Sequence, residues 1–300
     1  MLARLQQFTT LGSLLLAGLW GWFAWRGGHP GWAVFGVFIV VGGYALVLGV
    51  EFVLLGRVHG DDPTPRATPA QLWRAWWGEV RSAPLVFCWR QPFRSRRFAD
   101  HLPADAQGRR GVLFVHGFVC NRGLWNPWMQ RLQAQGVPFV AVNLEPVFGS
   151  IDDYLAPIEA GVRALEQATG VPPIAVAHSM GGLALRRWWA EPDHDARLHH
   201  AITIGTPHRG TWLARFAMSP NARQMRIGSR WLQLLAAREP PGRVARLTCF
   251  YSHCDNIVFP PSVATLDGAD NRHLPGVAHV HMADHAEPRY ELRRWLATPH

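Results

Sequence analysis

The sequence of 300 residues contains no lysine, so that arginine alone supplies its 30 basic side chains. The net charge of +9 would suit a nucleic-acid-binding protein, but the arginines are spread along the chain and no nucleic-acid-binding motif accompanies them. We therefore predict no nucleic-acid partner, and we interpret the charge as an attraction to anionic lipid headgroups.

Cofactor signatures are also missing. The four cysteines form no C-x-x-C pair and have no metal-ligand spacing with histidine, which predicts free, buried thiols and is consistent with a reducing compartment. No phosphate-binding loop, cluster of metal ligands or dinucleotide-binding fingerprint occurs. The sequence therefore predicts that the protein uses neither a metal nor a cofactor.

Charged residues are nearly absent from two stretches close to the N-terminus. Residues 8–25 carry none and residues 31–55 carry only Glu51, and a span of the hydrocarbon core needs about 20 apolar residues. The turn between them is rich in glycine and is surrounded by tryptophans, as at a membrane interface. We predict a membrane hairpin over residues 1–60. The alternative for the first stretch is a signal peptide, although no A-x-A-like cleavage site follows it.

The arginines predict how this hairpin is oriented. The turn contains Arg26 alone, whereas the second stretch is followed by Arg57, Arg66, Arg74 and Arg81. Since positive residues favour the cytoplasmic side, both termini are expected in the cytoplasm. The prediction is a multi-pass protein of the inner (cytoplasmic) membrane with its larger domain in the cytoplasm.

Residues 61–105 are expected to form a linker and an amphipathic helix. A proline-rich segment leads to Thr68, which has capping-box spacing with Gln71. The helix that follows places large apolar residues on one face and arginines opposite: Leu72, Trp73, Trp76, Trp77 and Val80. Two interpretations are open: the helix lies in the headgroup plane, or it packs on the rest of the protein.

Over residues 106–300, short apolar runs alternate with helical patterns. Six runs are typical of buried strands: 111–117, 138–144, 173–179, 201–207, 246–252 and 273–279. The helical pattern between the second and third runs has Ser150 as its expected cap, with Asp153 three residues later. This alternation predicts an α/β fold with a mostly parallel sheet flanked by helices.

The third run ends in IAVAHSMGG, residues 174–182, where Ser179 follows a strand and precedes a helical stretch. The nucleophile elbow needs this arrangement, because a tight strand-to-helix turn holds the serine hydroxyl at the carboxyl end of the sheet. The small residues Ala177 and Gly181 let the backbone close without a side-chain clash. We therefore expect Ser179 to be a nucleophile.

Four stretches give the sequence a resemblance to a known family: VHGF at 115–118, AHSMGG at 177–182, GTPHRGT at 205–211, and YSHCDNIV followed by LDGADNRHLPGVAH. Together they resemble the α/β-hydrolase lipases and esterases, especially small bacterial lipases with an Ala-His-Ser-Met-Gly-Gly elbow. The resemblance covers residues 110–296 and implies an α/β-hydrolase fold that follows the predicted hairpin.

A serine nucleophile needs a base and an orienting carboxylate, which in this fold follow the serine in the order acid, then base. Asp255 comes directly after the run at 246–252 and His279 follows the segment HLPGV, so both are expected at the sheet edge that carries Ser179. The resemblance implies the same pair, with Asp255 in the Y-S-x-x-D-x-I-V position and His279 in the G-V-x-H position. Four neighbours are rivals for these roles: His281, His285, Asp267 and Asp270.

Two backbone N–H groups are needed to stabilise the oxyanion of a tetrahedral intermediate. One is expected from Met180, the residue after the nucleophile, and the resemblance implies the other at Phe118. Three histidines in these motifs are interpreted as structural, and the second of them is expected to project away from the triad: His116, His178 and His208.

Residues 208–245 form a long insertion with two amphipathic segments, which is typical of a lid beside an active site. Its apolar residues are expected to line an acyl cavity together with Phe118 and Met180: Trp212, Leu213, Phe216 and Trp231. The alternative is that these helices only cover the edge of the sheet.

These features predict a membrane-anchored serine hydrolase, a lipase or esterase that cleaves carboxylic esters of hydrophobic acyl chains through an acyl-enzyme on Ser179. Its partners would be a hydrophobic ester and the lipid bilayer. Two alternatives stay open: an acyltransferase or thioesterase with the same triad, and a non-catalytic membrane scaffold on a hydrolase fold, which the complete Ser–Asp–His set disfavours.

Overall fold

A parallel sheet forms the centre of the protein. In the computed structural model, which describes residues 1–240 and 242–298, the described residues form six strands in the spatial order β2-β1-β3-β4-β5-β6, and every neighbouring pair is parallel. This confirms the predicted α/β fold class. The strands are Val112–Val115 (β1), Phe139–Ala141 (β2), Ile174–His178 (β3), His200–Ile204 (β4), Leu247–Tyr251 (β5) and Asp270–His273 (β6).

Helices precede the sheet and cover both of its faces. They are Leu2–Arg26 (α1), Pro30–Val58 (α2), Pro69–Pro84 (α3), Gln91–Arg94 (α4), Asn126–Ala134 (α5), Leu155–Thr169 (α6), Met180–Trp189 (α7), Pro220–Gln224 (α8), Arg230–Arg238 (α9), His279–Ala283 (α10) and Ala286–Leu296 (α11). A π-helical segment, Leu85–Arg90, joins α3 to α4.

Alternate side chains of each strand enter two separate hydrophobic layers. Leu113 and Val115 of β1 contact the layer formed with α6 and α7, whereas Val112 and Phe114 contact the layer formed with α5 and α11. Because both faces of the sheet are buried, apolar residues are favoured at odd and at even positions of a strand. The strand sequences are therefore nearly continuous apolar runs.

The last predicted strand, residues 273–279, is wrong. The sixth strand is Asp270–His273, a polar and half-exposed edge strand that pairs with β5 through its backbone, and His279 begins α10. An edge strand exposes much of its surface, so it needs no apolar run. Leu274 and Val277, which suggested the strand, are instead buried from a loop.

Both predicted capping boxes are present. At the start of α3, Thr68 Oγ1 accepts from the Gln71 backbone N–H at 3.3 Å, while Gln71 Oε1 accepts from the Thr68 N–H at 2.9 Å. Ser150 and Asp153 form the equivalent pair at a 3₁₀ turn, Ile151–Tyr154, that leads into α6. Such reciprocal bonds satisfy backbone donors that a helix start leaves free.

The two N-terminal helices form a hairpin whose open end is buried against the rest of the protein. Both helices are long and apolar enough, by length and composition, to cross a membrane. At the attached end, Gln6 of α1 and Phe52 and Leu55 of α2 are buried. Beyond it most of the large apolar side chains are exposed, among them Leu15 and Phe38.

Helix α3 packs along α2. The Trp76 indole N–H donates to the Ala45 carbonyl at 3.0 Å, and the Tyr44 hydroxyl donates to the Val80 carbonyl at 2.7 Å. One face of this helix therefore packs on the protein, as the second interpretation proposed. On its other face, Trp73 and Trp77 are exposed.

Candidate active site

Ser179 lies on a strained turn between β3 and α7. Its φ of 55° is positive, and among residues 1–240 and 242–298 only Val119 shares this property without being glycine. The Ser179 N–H donates to Ile204 on β4 at 2.9 Å, which fixes the turn to the sheet. A Cβ at Gly181 would lie 2.4 Å from the His116 carbonyl oxygen, so glycine is required there. Strain of this kind persists where the surroundings over-determine the backbone, as at active sites.

His279 and Asp255 form a buried pair beyond the ends of β5 and β6. His279 Nδ1 lies 2.9 Å from Asp255 Oδ2, and the other carboxylate oxygen accepts from the N–H groups of Ile257, at 2.9 Å, and Val258, at 2.8 Å. The carboxylate is therefore fixed before it meets the imidazole. With Nδ1 engaged by Asp255, Nε2 is the nitrogen left for another partner.

Ser179 and this pair lie at the same edge of the sheet. The ring of His178, next to Ser179 in the chain, has its centroid 4.6 Å from that of His279, and His178 Nε2 lies 3.1 Å from the His279 carbonyl. His178 thus supports His279, and the expectation that it projects away is not met. Burial, followed by the charge of His279, lowers the pKa of His178 to about 3, which keeps this ring neutral.

The electrostatics of the pair favour a basic His279. Burial alone would lower the pKa of its imidazole, but the charge and hydrogen bond of Asp255 outweigh it, and the charges of Glu79 and Glu51 add to them. The pKa of His279 therefore lies above its usual value of 6.5. A base whose pKa is raised in this way accepts a proton more readily.

The rival residues lie in other surroundings. The imidazole of His281 packs against Gly78 of α3, and His285 accepts the Glu287 N–H at the start of α11. Asp270 belongs to β6 and is ion-paired with Arg272 at 2.6 Å, while Asp267 lies in the turn before that strand. The structure brings only Asp255 and His279 together.

The loop after β1 reaches the serine. A Cβ at Gly117 would lie 2.8 Å from the Ser179 Cβ, and the next residue is Phe118. Within residues 1–240 and 242–298, no backbone hydrogen bond engages the N–H of Phe118 or Met180. His116 braces the loop, since it accepts the Leu144 N–H at 3.0 Å and its Nδ1 lies 2.9 Å from the Gly117 oxygen. Burial lowers the pKa of His116 to about 4, so the ring is neutral.

The ring of His208 is bonded to groups outside the proposed triad. Its Nε2 lies 2.9 Å from the Thr203 hydroxyl, and its Nδ1 lies 3.3 Å from the guanidinium of Arg186, which is itself paired with Glu239 at 2.6 Å. Burial and the charge of Arg186 hold the pKa of His208 well below its usual range. The residue fixes the loop after β4, as its position in the sequence suggested.

The four apolar residues of the insertion do not form one group. Trp212 and Leu213 pack in a cluster with Phe52 of α2 and Phe259, whereas Phe216 is exposed. Trp231 lies elsewhere, because its indole N–H donates to Asp152 at 2.8 Å and its ring joins the layer formed with α6 and α7. The structure therefore brings the first three toward one region and leaves Trp231 out.

Three polar residues at the site were missed from the sequence. Asn256 Oδ1 accepts the His279 N–H at 3.2 Å, and Asn256 Nδ2 donates to Glu51 at 2.6 Å. Glu79 accepts the next two backbone N–H groups. The available signal was Glu51 itself, since one charge in a long apolar stretch needs a partner.

Comparison with known proteins identifies the fold and the family. Residues 112–299 match the alpha/beta hydrolase family, and no curated protein matches the chain. Among solved structures, the mature form of the Bacillus licheniformis lipase BlEst2 is similar at 17% identity and a TM-score of 0.57, over 65% of this chain and 96% of that one. The Aspergillus fumigatus lipase B is similar at 19% identity and a TM-score of 0.50, over 62% of this chain and 52% of that one. The match extends over more than half of the sequence, and the chain belongs to the alpha/beta hydrolase family.

Proposed function

We propose that this protein is a membrane-anchored serine hydrolase that cleaves carboxylic esters of hydrophobic acyl chains. The observation that carries the proposal is the buried His279–Asp255 pair beside a serine on a strained strand-to-helix turn. This constellation activates a hydroxyl for attack on a carbonyl. The lipases among the similar structures favour the same substrate class.

The proposed reaction has two halves, acylation and deacylation of Ser179. Ser179 Oγ attacks the ester carbonyl while His279 Nε2 takes its proton, and Asp255 stabilises the imidazolium that forms. The N–H groups of Phe118 and Met180 stabilise the oxyanion. His279 then protonates the departing alcohol, which leaves an acyl-enzyme. Water, deprotonated by His279, attacks the acyl-enzyme. The bond to Ser179 Oγ then breaks, His279 returns the proton to that oxygen, and the carboxylic acid is released.

Apolar surroundings support a hydrophobic acyl group. Phe118, at the oxyanion loop, forms an edge contact with the exposed Phe148, their ring centroids 5.7 Å apart. On the α2 side, Trp212 stacks on Phe259 at 5.8 Å. We propose that the insertion at 208–245 acts as a lid and that Trp212, Leu213 and Phe216 contact the chain of the substrate.

The hairpin is proposed to hold the site at the membrane. Residues 8–26 of α1 rise about 28 Å, close to the hydrocarbon thickness of about 30 Å, whereas residues 30–43 of α2, before its first bond to α3, rise only about 21 Å. For α2 to cross, the exposed face of α3 has to enter the interfacial region. Tryptophan, present there as Trp73 and Trp77, is enriched at that depth.

The attachment of α1 argues against a cleaved signal peptide. Gln6 Nε2 donates to Gln91 Oε1 at 2.7 Å in a buried contact, and Gln7 Nε2 donates to the Pro92 carbonyl at 2.6 Å. Cleavage would remove these partners. We therefore propose that the hairpin is retained, with both termini in the cytoplasm and the hydrolase domain on the inner face of the cytoplasmic membrane.

Covalent labelling tests this function directly. The full chain in detergent should react once with a fluorophosphonate probe and should hydrolyse p-nitrophenyl esters. Ser179→Ala should abolish both activities, whereas Ser219→Ala, a change in the insertion, should leave both intact. Labelling that survives in Ser179→Ala would refute the assignment. Labelling at Ser179 without ester hydrolysis would instead favour a thioester substrate or transfer to another acceptor.

A further inference from the structure

Three consecutive backbone N–H groups around His279 are bound by side chains from outside their own helix. The His279 N–H donates to Asn256 Oδ1 at 3.2 Å. The Val280 N–H donates to Glu79 Oε1 at 2.9 Å, and the His281 N–H donates to Glu79 Oε2 at 3.0 Å. Both carboxylate oxygens of Glu79 are therefore used on the segment that carries His279.

Glu79 comes from a part of the chain that precedes the hydrolase family match. It lies on α3, is only 1% exposed and has no ion-pair partner among the described residues. A buried carboxylate without a basic partner is costly unless hydrogen bonds compensate it. The two N–H groups of the His279 segment supply that compensation, so the carboxylate and the segment depend on each other.

A second acidic residue reaches the same segment from α2. Glu51 accepts from Asn256 Nδ2 at 2.6 Å, and Asn256 is completely buried. The Asn256 amide therefore donates to Glu51 and accepts from His279, which leaves one orientation for its oxygen and nitrogen. The contact runs from the second apolar helix to the backbone of His279 through one side chain.

We propose that Glu79 and Glu51 are positioning residues for the base His279, and that α2 and α3 are in this way part of the active site. The inference rests on the proposed serine hydrolase function and extends it.

The two glutamates matter because the position of the His279 backbone has to be fixed. The bond to Asp255 orients the imidazole about its own side-chain torsions, but it does not locate the backbone of residue 279, which begins the short helix α10 after the loop that follows the edge strand β6. The bonds from Asn256 and Glu79 do locate it. A misplacement of about 1 Å at a reacting group costs on the order of 100-fold in rate.

Charge adds a second effect. His279 is faced by Asp255, by Glu79 from α3, by Glu51 from α2 and by the neutral ring of His178 from β3. Burial raises the pKa of Glu79 to about 7, while the N–H groups of His281 and Val280 limit the rise. Above that pH its negative charge favours the imidazolium form of His279.

Substitutions at Glu79 separate the effect of its hydrogen bonds to the His279 segment from the effect of its negative charge on the imidazole. In the full chain, Glu79→Ala removes both, and kcat for p-nitrophenyl esters should fall about 10- to 100-fold with KM unchanged. Glu79→Asp keeps the charge on a shorter side chain, so it should lose kcat without moving the acid limb of the pH–rate profile. Glu79→Gln removes the charge, so its acid limb should move to lower pH. Glu287→Gln, on the exposed face of α11, is the matched control and should match the wild type.

Substitutions at Glu51 keep the inference testable where a Glu79 variant does not fold. Glu51→Gln retains an acceptor for Asn256 and should lose less kcat than Glu51→Leu, which has none. Wild-type kcat and pH profiles in the Glu79→Ala and Glu51→Leu variants, with an active and labelled wild-type protein, would overturn this inference alone. A wild-type protein that is neither labelled nor active would overturn the proposed function and this inference with it.

Discussion

Gln6 of α1 and Gln91 of α4 meet inside the protein, with Nε2 of one 2.7 Å from Oε1 of the other. The backbone oxygen of Gln91 accepts from Asn121 at 3.1 Å, in the loop that carries the proposed oxyanion donor Phe118. The first apolar helix is thus attached beside the oxyanion loop, while α2 is attached beside the loop of His279. The two helices of the hairpin are thus attached beside two different loops of the proposed site.

This attachment predicts that α1 is retained, and the distribution of arginines predicts that both termini lie in the cytoplasm. Intact-mass measurement of the purified protein should give a chain that includes residues 2–26. A reporter that is active only in the periplasm should stay silent when it is fused to the C-terminus, because an even number of spans returns the chain to its starting side. A strong periplasmic signal would mean that α1 does not span the membrane or that the hairpin is inverted.

The identity of the base can be tested by histidine substitutions. His279→Ala should lower kcat by several orders of magnitude, as loss of a triad member does. His281→Ala and His285→Ala should have small effects, because neither ring contacts Asp255. If His281→Ala proves inactive instead, the base has been placed two residues too early.

The pH dependence follows from the raised pKa of His279. Catalysis needs the neutral imidazole, so kcat/KM should fall with decreasing pH, with a midpoint above pH 6.5, since the pKa lies above that value. The same shift stabilises the fold below pH 6.5, and this contribution is lost as the pH rises through the folded value. A midpoint well below pH 6.5 would show that burial outweighs the carboxylates. Initial rates from pH 5 to 9 provide the measurement.

Gly205 offers a test of how tightly the Asp255–His279 pair is enclosed. Its φ is +56°, and a Cβ there would lie 3.0 Å from Asp255 Oδ2 and 3.1 Å from His279 Nδ1. Gly205→Ala should therefore destabilise the fold by about 1–2 kcal/mol and also lower kcat. Gly228→Ala is the matched control, since its φ is +73° but nothing lies within 4 Å of the added Cβ. Equal kcat in the two variants would show that Gly205 does not pack closely against the Asp255–His279 pair.

The proposed lid predicts a dependence on acyl length. Each CH₂ buried contributes about 0.8 kcal/mol, so kcat/KM should rise from acetyl to longer p-nitrophenyl esters until the cavity is filled. The double variant Trp212→Ala with Phe216→Ala should flatten this slope and spare the acetate ester. Trp231→Ala, whose ring packs on another layer, should keep the wild-type slope. Parallel slopes in all three proteins would mean that the insertion only covers the sheet edge.

Local patterns in the sequence were sufficient for the buried strands and for the turn that carries Ser179. Strands β3 and β4 are apolar on both faces, so hydrophobicity alone predicts them. The capping boxes of Thr68 and Ser150 pair residues that are three positions apart, so the local sequence pattern predicts them. The pairing of Asp255 with His279 was also predictable, because the order of motifs in the resembling family places both after parallel strands at one edge.

Only the tertiary structure decided what depends on contacts between distant segments. The edge strand β6 is defined by backbone pairing with β5 and has no apolar signal, so its neighbour Val277 suggested the wrong segment. Trp231 lies apart from Trp212 because the Trp231 indole donates a hydrogen bond to Asp152, which is far away in the sequence. Glu79 and Glu51 lie about 200 residues from the groups that they bind. The sequence indicates at most that Glu51 needs a partner. It does not identify the groups that either glutamate binds, because a hydrogen bond between distant residues depends on where the folded chain brings their atoms.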